Sequence, residues 1–188
     1  MANKIISPTK VITSSATRWS YANVWEPKSA VKDGTPKYSV SLIIKKNDPC
    51  VERIKAAIRA AYEEGADKLK GGGKEVPAFE RIKNPLRDGD LERPGDEAYA
   101  GAYFINANNQ NAPQIVDASR QPILERREVY SGVYGRASIS FYAYNATGNK
   151  GIACSLNHLQ KIRDGEPLGG RSSAEEDFAE EEDEEFLN

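Results

Sequence analysis

Tyr130-Ser-Gly-Val-Tyr-Gly-Arg-Ala-Ser-Ile-Ser-Phe-Tyr-Ala-Tyr144 alternates with a period of two. Val133, Ala137, Ile139, Phe141 and Ala143 fall on one face, and Tyr134, Arg136, Ser138, Ser140, Tyr142 and Tyr144 on the other. That period belongs to a strand with one apolar side against a core and one side toward solvent. Asn145-Ala-Thr-Gly-Asn-Lys150 then reads as a hairpin loop, and Gly151 to Ile162 as the returning strand.

Upstream, the same pattern recurs more briefly. Thr17 to Trp25 is an aromatic-rich strand, on which parity puts Trp19, Tyr21 and Trp25 on one face. In Pro36 to Lys46, Tyr38, Val40, Leu42 and Ile44 alternate with polar residues, and only Ile43 breaks the pattern. Tyr99 to Ala107 is a further strand. One helix opens at Asp48-Pro49, a capping carboxylate followed by proline at the first helical position. Val51, Ile54, Ala57, Ile58, Ala61 and Tyr62 form its apolar stripe, which weakens after Gly65 and stops at Gly71-Gly72-Gly73. Glu75 to Ala98, rich in proline, glycine and charge, reads as long loop. One helix among about five strands without βαβ alternation points to a small antiparallel barrel or sandwich.

Charge divides the chain in two. Ala174 to Asn188 holds nine carboxylates, no lysine or arginine, and the apolar residues Phe178, Phe186 and Leu187. All 26 lysines and arginines therefore lie in residues 1–173, against the 19 acids left from 28 once those nine are set aside, a net charge of +7. Residues 1–173 are expected to form one nucleic-acid-binding domain and residues 174–188 a disordered acidic tail. About 15–18 residues of flexible chain reach ~20–25 Å, enough for the tail to compete for a basic groove on its own body. Its apolar residues Phe178, Phe186 and Leu187 suit a basic-rimmed apolar pocket on a partner protein.

Aromatic usage fits a half-wet surface: nine Tyr and two Trp stand against five Phe, two of which are in the tail. Tyr134, Tyr142 and Tyr144, with Trp19 or Tyr21, are candidates to stack on bases. The alternative is that the tyrosines cover a second core or the helix. Lys37, Lys45, Arg136 and Lys150 are the candidate phosphate contacts, which would make binding depend on salt. Cys50 and Cys154 form no CxxC pair and read as small buried hydrophobes in a reducing compartment. His158 is the only histidine and reads as a partly buried, hydrogen-bonded imidazole. No zinc spacing, phosphate loop or nucleophile–base set is present, so no cofactor or metal is expected. Asp88, Asp90 and Glu92 could hold a hard cation as a nuclease would, though a charged turn is the simpler reading. A third reading is a protein-interaction module whose acidic tail mimics nucleic acid. The amino-terminal residues contain no apolar signal region and no run is long enough to span a membrane, so a cytoplasmic protein is expected.

Several stretches together carry a family likeness: Tyr21-Ala-Asn-Val-Trp-Glu-Pro-Lys28, Lys37-Tyr-Ser-Val-Ser-Leu-Ile-Ile-Lys45, Pro85-Leu-Arg-Asp-Gly-Asp90, Tyr103-Phe-Ile-Asn-Ala107, Tyr130-Ser-Gly-Val-Tyr-Gly-Arg136 and Gln160-Lys-Ile-Arg-Asp-Gly-Glu-Pro-Leu-Gly-Gly-Arg171. From about Ser20 to its end the chain resembles a family of phage and prophage single-stranded DNA-binding proteins with an OB fold. The resemblance implies a mainly β protein, an OB-like antiparallel five-stranded barrel with one main helix, long loops and a disordered acidic C-terminal tail. It also implies a non-enzymatic protein that coats single strands during phage replication or recombination in the host cytoplasm. Its tail would recruit replication or recombination proteins, and a homodimer is left open. Such tails often end on an aromatic residue, whereas this one ends Phe186-Leu187-Asn188.

Overall fold

The structure is a computed structural model that describes residues 7–29 and 31–168. Its strands and helices run β1 (Lys10–Ile12), β2 (Arg18–Lys28), β3 (Lys37–Lys45), α1 (Cys50–Glu64), α2 (Ala66–Lys70), β4 (Arg87–Asp88), α3 (Gly89–Glu92), β5 (Ala102–Asn109), β6 (Gln114–Val116), β7 (Tyr134–Ala146) and β8 (Asn149–Arg163). The five long strands are those the sequence marks. They close into a ring in which β2 pairs with β3, β3 with β5, β5 with β8, β8 with β7, and β7 again with β2. The last junction is short, with Arg18 opposite Tyr134 and backbone hydrogen bonds between Thr17 or Trp19 and Gly132, Val133 and Gly135. A five-strand ring with one such short junction is the OB form. One junction differs from the antiparallel expectation: β5 and β8 run parallel. A parallel pair needs a long crossover, and residues 110–148, which include β7, supply it. The short β1, β6 and β4 add to β7, β8 and β5.

Alternation in β7 holds as read. Val133, Ala137, Ile139, Phe141 and Ala143 are buried in the core, and the even positions lie outside. The hairpin is tighter than expected, because Thr147 and Gly148 both take positive φ, 50° and 89°. Two such residues make the turn that matches the strand twist, so β8 starts at Asn149 rather than Gly151.

Helix α1 starts where the proline signal puts it: Asp48 Oδ1 accepts from Cys50 N–H at 2.8 Å. Its stripe Val51, Ile54, Ala57, Ile58 and Ala61 is buried in one core with Val40, Leu42, Ile44, Ile105, Ile139 and Leu156. Full burial of side chains such as Ile54 and Ile58 is worth roughly 1.5–3 kcal/mol each. Cys50 and Cys154 are both free and buried, and burial raises both thiols above their ordinary pKa. His158 differs from its reading in being exposed, with Nδ1 accepting from Gln114 N–H at 3.2 Å.

The stretch read as featureless loop is built. Residues 87–101 lie over the outer face of β3 and β5 and form a second small core of Ile43, Tyr99, Ala102 and Phe104, with Leu168 packed against it. Ile43, the residue that broke the alternation of its strand, is apolar because this segment covers it. Among the described residues, no helix is long and apolar enough to cross a membrane.

Candidate nucleic-acid interface

Residues that alternate with the core point outward, and on β3, β5, β8 and β7 they line up across the sheet. Ser39 pairs with Asn108, Asn108 with Ser155, and Ser155 with Ser140. All four are half-buried, short and polar, so they make a flat floor with hydrogen-bonding groups and no bulk. Two clefts meet on this floor at Asn108. The first, about 570 Å³, runs past Lys83, Arg87, Asn106, Tyr144 and Ala153. The second, about 440 Å³, lies at the β2–β3 loop between Lys28, Lys37 and Ser39. The result is a groove over the outer face of β3 and β5, between the β2–β3 and β7–β8 connections. In OB folds that is where oligonucleotides and oligosaccharides bind.

Tyr144 lines the groove, and Tyr142, two residues along the same face, is 44% exposed. Across the strand pair Tyr142 faces Ala153 and Tyr144 faces Gly151. Such small partners leave the Tyr142 ring exposed, whereas Tyr144 is half-buried with its hydroxyl beside Gly151. Partial burial raises the Tyr142 phenol above its ordinary pKa, so the ring stays neutral. Lys28, Lys37, Lys83 and Lys150 form no ion pair among the described residues. Lys150 sits in the β7–β8 hairpin, where its carbonyl accepts from Lys83 N–H at 3.1 Å. Lys28, Lys83, Asn106 and Asn108 were not singled out from sequence. Asn106 and Asn108 share a face by strand parity, but nothing local marks Lys83, which reaches the groove through its bridge to Gly151.

Five expected site residues stand elsewhere, Tyr21 among them on a separate cavity. Trp19 is a correction: it is fully buried, and Nε1–H donates to the Gly135 carbonyl at 3.1 Å. The parity that joined it to Tyr21 fails because β2 carries a bulge between Ser20 and Asn23, with Tyr21 at φ 47°. Tyr134 lies outside both clefts, and the Arg163 guanidinium is 3.7 Å from its ring centroid, with Arg18 at 5.2 Å. Arg136 is exposed on the same sheet face, but six residues, or ~20 Å, from Tyr142. Lys45 is at the far end of β3, where Nζ donates to the Ala100 carbonyl at 3.4 Å. Trp25 packs at the core edge with Nε1 toward the Val129 carbonyl at 3.4 Å.

Asp88 and Asp90 both bind Lys46, with Nζ to oxygen distances of 2.8 Å. The Lys46 ammonium holds both carboxyls below their usual range, helped at Asp90 by the Gly101 N–H, and Lys46 itself is pushed upward. Glu92 is taken by Arg87, whose Nε donates to it at 2.9 Å. The three acids read as a conceivable cation site are thus neutralised by cations of the chain, and among the described residues no group of three ligands could hold a metal. Phe178, Phe186 and Leu187 lie outside the described residues.

A five-strand OB barrel with a groove of tyrosines, lysines and short polar residues defines an oligonucleotide-binding class of protein. Comparison with known proteins gives the family. Residues 9–187 match the family described as the ssDNA-binding protein of Enterobacter phage Enc34, and the chain belongs to that family. The p50 protein of Acyrthosiphon pisum secondary endosymbiont phage 1 is 32% identical over 182 residues, covering 90% of this chain and 95% of that protein. Among solved structures, the single-stranded DNA-binding protein of bacteriophage Enc34 in complex with ssDNA superposes with a TM-score of 0.70 at 24% identity, over 86% of this chain and 90% of that one. The single-stranded DNA-binding protein gp2.5 of bacteriophage T7 superposes with a TM-score of 0.56 at 17% identity, over 92% and 94%. At those identities the structures establish a shared fold.

Proposed function

We propose that this protein binds single-stranded DNA with little regard to sequence during phage DNA replication and recombination, as a binding protein and not as an enzyme, in the host cytoplasm. The observation that carries the reading is the groove, in which Tyr144 lines a cleft beside a polar floor, Tyr142 stands exposed two residues along the same face, and Lys28, Lys37 and Lys83 lack acidic partners among the described residues. Tyrosine faces take any base, and lysines take the phosphates between them. Membership of a family described as ssDNA-binding supports the same reading.

The acidic tail of residues 174–188 competes with DNA in this proposal and, once displaced, recruits replication or recombination proteins through Phe178, Phe186 and Leu187. Its sequence supports this; Leu168 packs on the outer face of β3 and β5, across residues 87–101 from the groove, with its N–H donating to the Ser131 carbonyl at 2.8 Å. The test is a fluorescence-anisotropy titration of a labelled oligo-dT of about 30 nucleotides at low and moderate salt. The full chain should bind with salt-sensitive affinity, and residues 1–173 more tightly, most of all at low salt. A full chain that ignores the oligonucleotide defeats the reading, and equal affinity of the two chains defeats the competing tail.

A further inference from the structure

Residues 87–101 divide the outer face of the barrel. The groove lies on their Asp88 and Glu92 side. On the other side is a separate cavity of about 410 Å³, lined by Ser20, Tyr21, Asp96, Ala98, Tyr99 and Leu168. Two residues stand out here, Tyr21 and Arg93. Tyr21 is 56% exposed although it is a large aromatic. It stands on the β2 bulge at φ 47°, a left-handed conformation that costs a bulky residue energy and that tends to persist at functional positions. Arg93 is half-buried among three rings, 5.6 Å from Tyr21 and 5.5 Å from both Tyr99 and Phe104. Among the described residues its guanidinium has neither an ion pair nor a hydrogen bond, so five donors are held in place and unused.

We infer that Tyr21 and Arg93 form a second nucleotide subsite, in which Tyr21 stacks on a base, Arg93 holds the adjoining phosphate, and Asp96 adds a modest preference for cytosine over thymine to otherwise sequence-tolerant binding. A guanidinium beside an exposed ring matches the repeat of single-stranded DNA, a flat base next to an anionic phosphate. Asp96 gives the subsite its preference. Asp96 lines the cavity; one of its oxygens accepts from Ala98 N–H at 3.1 Å, and the other has no hydrogen-bond partner among the described residues. A carboxylate only accepts, so it favours the N4 amino group of cytosine and opposes the O4 acceptor that thymine presents there. This inference rests on the single-strand reading. It extends the DNA path from the groove across the 87–101 segment to β2.

The test uses the full chain at about pH 8, where a labelled oligo-dC and oligo-dT of about 30 nucleotides are titrated side by side. The wild type should bind oligo-dC severalfold more tightly than oligo-dT. Asp96→Asn should bring the two affinities together, and Tyr21→Ala should weaken both by about fivefold or more, with Tyr21→Phe restoring them. Equal affinity of the wild type for the two strands, or full affinity in Tyr21→Ala, overturns the subsite. Binding of neither strand by the wild type would overturn the single-strand reading itself, a distinct result. Because Tyr21 is exposed, an unchanged thermal transition in Tyr21→Ala separates lost contact from lost fold.

Discussion

Tyr99 Oη donates to Ser41 Oγ at 3.1 Å in a fully buried contact between the 87–101 segment and the outer face of β3. The ring of Tyr99 meets Phe104 edge-on at 5.1 Å, and both pack over Ile43. This bond and this small core hold a long connection against the barrel, and the position of that connection sets the edge of the groove.

Tyr99→Phe keeps the ring and removes the donor, leaving the Ser41 hydroxyl buried without it. It should lower stability by about 0.5–1.5 kcal/mol in urea denaturation. Binding of oligo-dT should persist, since the ring that lines the Tyr21 cavity is kept and neither buried hydroxyl reaches the groove.

The Lys46 contacts make the same segment sensitive to acid. Asp88 and Asp90 have folded pKa values below the unfolded value, so their contribution is present above about pH 4 and is lost as pH falls through the lowered values. Lys46 is raised, so its share is present below its unfolded value and fades only in strong alkali. Proteolysis within residues 89–101 should therefore be slow from neutral pH down to about 5 and quicken below about 4. Lys46→Met should weaken that pH dependence without abolishing it, because the Gly101 N–H still holds Asp90 and the Asp90 N–H still holds Asp88.

Tyr142→Ala combined with Tyr144→Ala should cost over about tenfold in affinity for oligo-dT, since stacking contributes roughly 1–3 kcal/mol per base. Neither residue belongs to the barrel core, so the thermal transition should barely move. A smaller loss of affinity would take these tyrosines out of the path of the strand.

Lys37→Ala and Lys83→Ala should each reduce the slope of log affinity against log salt by about 0.7, the value for one phosphate contact on a single strand. Arg136→Ala, which alters a residue remote from both clefts, should leave the slope unchanged. Loss of slope in Arg136→Ala alone would move the DNA path along β7 and away from the groove.

Trp19→Ala removes a fully buried indole and leaves the Gly135 carbonyl without its side-chain donor, and should cost about 3–5 kcal/mol of stability. An alanine variant that melted like the wild type would show that Trp19 does not sit in the core.

What the amino-acid order determined by itself is whatever repeats locally. A period of two places Ile139 and Phe141 inward and Ser140 and Tyr142 outward, and proline after Asp48 starts α1, because these choices depend on neighbours a few residues away. The family likeness was legible in the same way, from short runs along one chain. Tertiary structure decided what depends on partners far apart in sequence. Trp19 turned inward because a bulge at Tyr21 resets the parity of β2, and a bulge has no periodic signature. Tyr134 received Arg163 from the partner strand, across 29 residues of chain. Ile43 was an anomaly in a strand until Tyr99, 56 residues later, covered it. The groove has the same origin: Ser39, Asn108, Ser155 and Ser140 become neighbours only when four strands come into register, since hydrogen-bonded pairing, and not sequence distance, sets which side chains share a surface.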